Sequence, residues 1–217
     1  MPALGAQAER LGAGDDGRGL LVRGQRVALL VGAYVAVGAA AAGVALALGY
    51  DPLTHDAWLG TRGLAAVLVS LGFGVSLGAV TVAASRIMVR RASWARALHA
   101  ALRPAVHRAG TAGLLAIAVA SAVGEELLFR GLLLQLLGIV ASSVIFGALH
   151  QTRGPARWGW MGWATVMGLL FGGIFAGTGS LAGPIVGHAL VNGANLRFLR
   201  DNDPSPRPRA LGGLLRR

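Results

Sequence analysis

Apolar residues in this chain come in uncharged runs of helical length, separated by short polar breaks. The runs cover residues 27–50, 63–85, 111–137, 138–151, 158–179 and 181–199. About 20 residues rising 1.5 Å each are needed to cross roughly 30 Å of hydrocarbon. The pattern therefore predicts an all-α fold, a polytopic membrane helix bundle of about six transmembrane helices. Continuous runs of this kind do not alternate with period two, which excludes the strands of a membrane barrel. The third run is interrupted by Glu125, Glu126 and Arg130, and the fourth is short.

Three regions follow from this pattern. Residues 1–26 form a polar, Gly-rich segment expected to be flexible, 27–199 the bundle with 111–199 as its core, and 200–217 a basic tail. A signal peptide fits less well, because the charged leader is long and the first apolar run exceeds an ordinary h-region. No repeat of fixed period stands out. Gly74/Gly78 and Gly168/Gly172 have the spacing that lets helices approach closely.

Composition agrees. The 217 residues are 54% hydrophobic and only 13% charged, about half the charge of a soluble domain. All 20 basic residues are Arg and there is no Cys. These absences remove Cys nucleophiles, disulfides, Cys-based zinc sites, Ser–Lys dyads and Lys Schiff bases. The Arg bias and 34 Gly fit a GC-rich bacterial genome.

Charge placement sets the orientation. Arg86, Arg90, Arg91, Arg96, Arg103 and Arg108 crowd one loop without an acid, and the tail after Arg200 is also Arg-rich. Positive loops stay inside. Both termini are therefore expected in the cytoplasm, in a bacterial inner membrane, with loop 51–62 outside. Trp158, Trp160 and Trp163 cluster at the inner start of the fifth run. Loop 86–108 reads as a plain positive-inside loop, although Trp94, Leu98 and Leu102 share one helical face. His55, His99 and His107 read as surface residues. Membrane lipids are expected partners, and nucleic acid is not.

The chemistry lies in polar residues inside the spans. Each charge at a helix centre costs about 2.5–3.5 kcal/mol on insertion scales, so Glu125, Glu126 and Arg130 require pairing or a function. Glu126 and Arg130 are four apart and share a face, while Glu125 is turned about 100° away. His188 and Asn192 share a face at the same spacing, as do Phe146 and His150. Counted from an outer hairpin at Gly138, Glu125 and His150 reach similar depth. Alone, an intramembrane His is more often a satisfied interhelical hydrogen bonder, and a Glu–Arg pair is as often structural as functional. Together on three spans they point to a site.

Three motifs carry a resemblance. Residues 125–130 read Glu-Glu-x-x-x-Arg, 146–150 read Phe-x-x-x-His, and 188–192 read His-x-x-x-Asn. In this order and on separate spans, they resemble the CPBP family of intramembrane proteases. That family includes the CAAX-prenyl endopeptidase and bacterial bacteriocin-related and abortive-infection-type members. The resemblance covers residues 111–199.

It implies hydrolysis of a peptide bond in a membrane-associated protein or peptide. Glu125 would act as general base on a water, His150 would position that water, and His188 and Asn192 would stabilise the oxyanion. Glu126 and Arg130, with Phe146 beside them, would support the site. The resemblance leaves zinc open, with Glu125, His150 and His188 as the ligand set; a metal-independent, glutamate-based enzyme without a cofactor is the favoured reading. Other intramembrane proteases fit less well. There is no His-Glu-x-x-His and no Gly-x-Ser-Gly, and the Gly-x-Gly-Asp at 12–15 lies in the polar leader. Two alternatives use the same residues differently: a non-catalytic scaffold or bacteriocin-immunity-type protein on the same fold, and a proton-coupled carrier using Glu125 and His150.

Overall fold

A computed structural model describes the backbone of residues 3–203 and the side chains of residues 24–203. Residues 1–2, the side chains of residues 3–23 in the polar leader and the tail beyond Asp203 lie outside the described residues. The elements are α1 (Ala3–Ala47), α2 (Gly63–Arg91), α3 (Ser93–Val106), α4 (Thr111–Glu126), a π-helical segment π1 (Leu127–Leu134), α5 (Gln135–Leu149), α6 (Arg157–Thr178) and α7 (Ala182–Asp201). No strand occurs among the described residues.

Four segments are long and apolar enough to cross a membrane: Gly24–Ala47, Gly63–Arg91, Thr111–Leu149 and Arg157–Thr178. The third is a hairpin rather than one rod. Gly138 has φ 79° and ψ 170°, a left-hand-side conformation that glycine adopts without a Cβ penalty. A straight helix would set residues 125 and 150 about 37 Å apart at 1.5 Å per residue. Instead Glu125 and His150 lie within 3.8 Å, and the rings of Phe129 and Phe146 meet at 4.8 Å. The reversal at Gly138 thus yields two of the expected spans. Helix α7 is the remaining one; it is long enough, but polar residues such as His188, Asn192 and Asn195 dilute its apolar character.

Many large apolar side chains point outward, among them Leu29, Leu68, Val140 and Leu149. On a soluble protein such a surface would be a liability; on a bundle it is the lipid face. Association between helices in lipid then rests on close packing, and here glycine supplies it. A Cβ at Gly74 would strike the Gly183 carbonyl, and one at Gly78 would come within 3.0 Å of the Gly187 carbonyl. Between α5 and α6, a Cβ at Gly168 would meet Ser143 at 2.9 Å. Both small-residue pairs seen in the sequence therefore lie at helix contacts. Ser70 adds a polar tie, donating to the Ser180 carbonyl at 2.7 Å while accepting from the Gly183 amide at 3.0 Å.

Two features close the ends. At one end, loop 51–62 is strapped to the α6–α7 turn by His55 N–H to Gly179 O, Trp58 N–H to Ala176 O and Leu181 N–H to Leu53 O. At the other end the expected plain loop is corrected: residues 93–106 form α3. Its apolar face, with Ala95 and Leu98 buried, packs onto the bundle and leaves Arg90, Arg91 and Arg96 exposed around it. Its burial also corrects the reading of His99, which is 3% exposed and hydrogen-bonded to the Asn202 carbonyl at 2.9 Å. His107 is exposed as expected, whereas His55 is half-buried with its ring edge-on to Phe175.

Candidate active site

Glu126 is fully buried. Its Oε1 accepts from Arg130 Nη1 at 2.8 Å and from His188 Nδ1 at 2.7 Å. Arg130, itself buried, also donates to the Gly168 carbonyl at 3.3 Å and lies 4.9 Å from the centre of the Phe146 ring. The ion pair expected from the i, i+4 spacing is thus in place. It is bound to a third helix through His188 and to a fourth through Gly168.

Glu125 sits at the last turn of α4, just before π1. π-Helical turns inside α-helices recur at functional sites, and this segment, Leu127–Leu134, directly follows the two Glu. The Glu125 side chain is 15% exposed, with Oε2 buried and without a hydrogen-bond partner among the described residues. Facing that oxygen are His150 Nε2 and His188 Nε2, each at 3.8 Å.

The far side of each imidazole settles its tautomer. His150 Nδ1 lies 2.8 Å from the Phe146 carbonyl, which only accepts, so Nδ1 carries the hydrogen. His188 Nδ1 likewise donates to the Glu126 carboxylate. In the neutral rings both Nε2 atoms are then bare acceptors. Aromatic neighbours fix the rings: Phe146 against His150 at 4.2 Å, and Phe171 stacked on His188 at 5.8 Å and 18°. Three acceptors therefore converge on one point with no donor between them.

Asn192 lies one turn beyond His188 and donates to Ser121 Oγ at 3.0 Å. All of these groups except the buried Glu126–Arg130 pair line one cavity of about 310 Å³. Its wall toward the α3 side is made by Leu102, Trp160, Trp163 and Asn195. Trp160 and Trp163 therefore face the cavity, while Trp158 is 72% exposed. The structure brings Glu125, His150 and His188 together and places Asn192 in the same cavity.

Several lining residues were not singled out from the sequence. Ser121 carried a signal, since it precedes Glu125 by one helical turn. Tyr34 on α1 and Phe171 on α6 carried none; only tertiary packing brings them here.

Two imidazole nitrogens and one carboxylate oxygen are chemically a zinc donor set, and an acceptor behind each imidazole is the usual outer shell of such a site. The 3.8 Å separations exceed the roughly 3.3–3.4 Å edge of a tetrahedron built on zinc bonds of about 2.0–2.1 Å. A tetrahedron of contacts of about 2.8 Å around a water has an edge of roughly 4.6 Å, so the observed spacing lies between the two and suits either occupant.

Residues 108–194 match the family model described as type II CAAX prenyl endopeptidase Rce1-like. This bears out the resemblance read from the three motifs. No curated protein and no solved structure matches the chain.

Proposed function

We propose, from the premise that residues 108–194 are a CPBP-type intramembrane protease region, that the chain hydrolyses a peptide bond with a water activated by Glu125. The observation that carries this reading is the buried, unpartnered Glu125 Oε2 facing two bare imidazole nitrogens at 3.8 Å. A water there gives one hydrogen to Glu125 and the other to His150 or His188. Its lone pairs are left facing the cavity and the substrate carbonyl.

The residues then divide the work. Glu125 takes the proton as the water oxygen bonds to the carbonyl carbon, and returns it to the leaving amine as the C–N bond breaks. His150, held by the Phe146 carbonyl, fixes the water. His188 Nε2 is the alternative acceptor for that second hydrogen from the other side, since its own hydrogen is committed to Glu126. Oxyanion donation, expected from His188 and Asn192 together, then falls to the Asn192 amide, whose second N–H remains free. Glu126 and Arg130 set the position of His188.

The substrate is a membrane-associated protein or peptide, and the cavity that receives it is bounded on the α3 side by Leu102, Trp160 and Trp163. By the positive-inside argument that side is cytoplasmic, as are both termini, in a bacterial inner membrane. The test is comparative N- and C-terminal proteomics of cells carrying the wild type or Glu125→Ala. New termini present only with the wild type are expected; identical sets of termini would sink the reading and favour a non-catalytic scaffold.

A further inference from the structure

The site has more acceptors than donors. Glu125, His150 Nε2 and His188 Nε2 all accept, whereas the oxyanion formed during amide hydrolysis needs donors aimed at it. Asn192 has already given one N–H to Ser121. Ser121 in turn has spent its only hydroxyl hydrogen on the Ala118 carbonyl at 3.2 Å. Trp160 packs its ring on His150 at 5.5 Å.

Trp160, Trp163 and Asn195 bring N–H donors to the α3 side of the cavity, and on α1, against the helix turn that carries Glu125, stands a hydroxyl donor: Tyr34, half-buried. Its placement follows from close helix packing. Gly124, the residue before Glu125, lies against the Tyr34 backbone, and a Cβ there would collide with the Tyr34 carbonyl. A Cβ at Gly38, one turn further along α1, would come within 3.0 Å of Gly124 Cα. These glycines fix the register that sets Tyr34 beside Glu125. The Tyr34 hydroxyl has no hydrogen-bond partner among the described residues.

We propose that Tyr34 is a further catalytic residue, donating its hydroxyl hydrogen bond to the oxyanion at the substrate carbonyl. This inference rests on the proteolytic reading above. As the water oxygen bonds to carbon, the carbonyl π pair moves onto oxygen and is held by Tyr34 and Asn192. When the C–N bond breaks, that pair re-forms the carbonyl. Tyr34 keeps its proton throughout.

The test uses the full chain in lipid nanodiscs with an internally quenched peptide ending in a prenylated CAAX-type tail. Wild type, Glu125→Gln and Tyr34→Phe are compared. The Phe variant keeps the ring and removes only the donor. A fall in kcat of about 10²-fold with KM within about twofold is expected, since the donor acts as charge develops. Affinity for a phosphinate peptide, which mimics the tetrahedral oxyanion, should fall in parallel, while affinity for the product peptide should not. Wild-type kcat in Tyr34→Phe beside an inactive Glu125→Gln overturns this inference alone. Equal turnover by wild type and Glu125→Gln overturns both readings.

Discussion

His188 Nδ1 donates to Glu126 Oε1 at 2.7 Å, joining α7 to the end of α4 across 62 residues of sequence. The bond gives the buried ion pair a second purpose. The Glu126 carboxylate neutralises Arg130 and also dictates which nitrogen of His188 faces Glu125. Adjacent glutamates thus divide between two environments, one closed with its Oε1 holding a guanidinium and an imidazole, the other open to the cavity and facing two imidazole nitrogens; the Oε2 of each has no hydrogen-bond partner among the described residues.

Glu125→Gln is expected to lower turnover by about 10²–10⁴-fold, the usual contribution of a general base. Folding should be retained, because the side chain makes no close ion pair that the amide would lose. Turnover of the purified variant, beside its elution profile in detergent, checks this. Full activity in the Gln variant would rule out Glu125 as the base.

Glu126→Ala should destabilise far more than Glu125→Ala. Removing Glu126 leaves the Arg130 guanidinium charged and buried, and breaking such a pair costs about 3–5 kcal/mol. Glu125→Ala removes a carboxylate with an unpartnered oxygen and should fall within about 1 kcal/mol of the wild type. Thermal unfolding in one detergent gives the ranking, and the reverse order would contradict the assigned roles.

How much of this was legible in the sequence differs residue by residue. The depth match of Glu125 and His150 needed only a hairpin at Gly138 and the helical rise, and both hold. The glycine pairs announced close packing because spacing alone places them on one face. The His188–Glu126 bond was not legible: it depends on which face α7 turns toward α4, and His188 and Asn192 read equally well as a pair. Helix α3 was missed for a related reason. The shared face of Trp94, Leu98 and Leu102 pointed to a helix, but the run of Arg fitted a plain positive-inside loop as well, and only the packing on α6 and α7 that buries Leu98 and His99 decides between them. Nor does periodicity distinguish π1 from α-helix, because the apolar run is continuous through it.

Gly187→Ala and Gly72→Ala should differ in sign. A Cβ at Gly187 would meet the Gly74 carbonyl and come within 2.8 Å of Phe171 Cε1. Overpacking of this kind costs about 1–3 kcal/mol. Because Phe171 stacks on His188, turnover should fall as well. At Gly72 nothing lies within 4 Å, and replacing a mid-helix Gly by Ala should stabilise by about 0.5–1 kcal/mol. Unfolding midpoints of the two variants check the contrast.

Metal content decides between the two chemistries that the acceptor cluster suits. With the Nδ1 hydrogens of His150 and His188 committed to the Phe146 carbonyl and Glu126, the two Nε2 atoms and Glu125 Oε2 would bind either a water or a zinc ion. The 3.8 Å spacing suits either, and the glutamate-activated mechanism proposed above needs the water. Elemental analysis of the purified wild type should then give substoichiometric zinc, and strong chelators should leave turnover intact. Asn192→Ala should cost about 10²–10³ in kcat, the loss for one oxyanion donor. His150→Ala should lose turnover without any change in metal content, because its role is to hold the water. One tightly bound zinc per chain, lost together with activity in His150→Ala and restored by adding zinc to chelated wild type, would establish a metalloprotease instead. Glu125 and the two histidines would then be its ligands, and the unpartnered Glu125 oxygen would be accounted for as a coordination position.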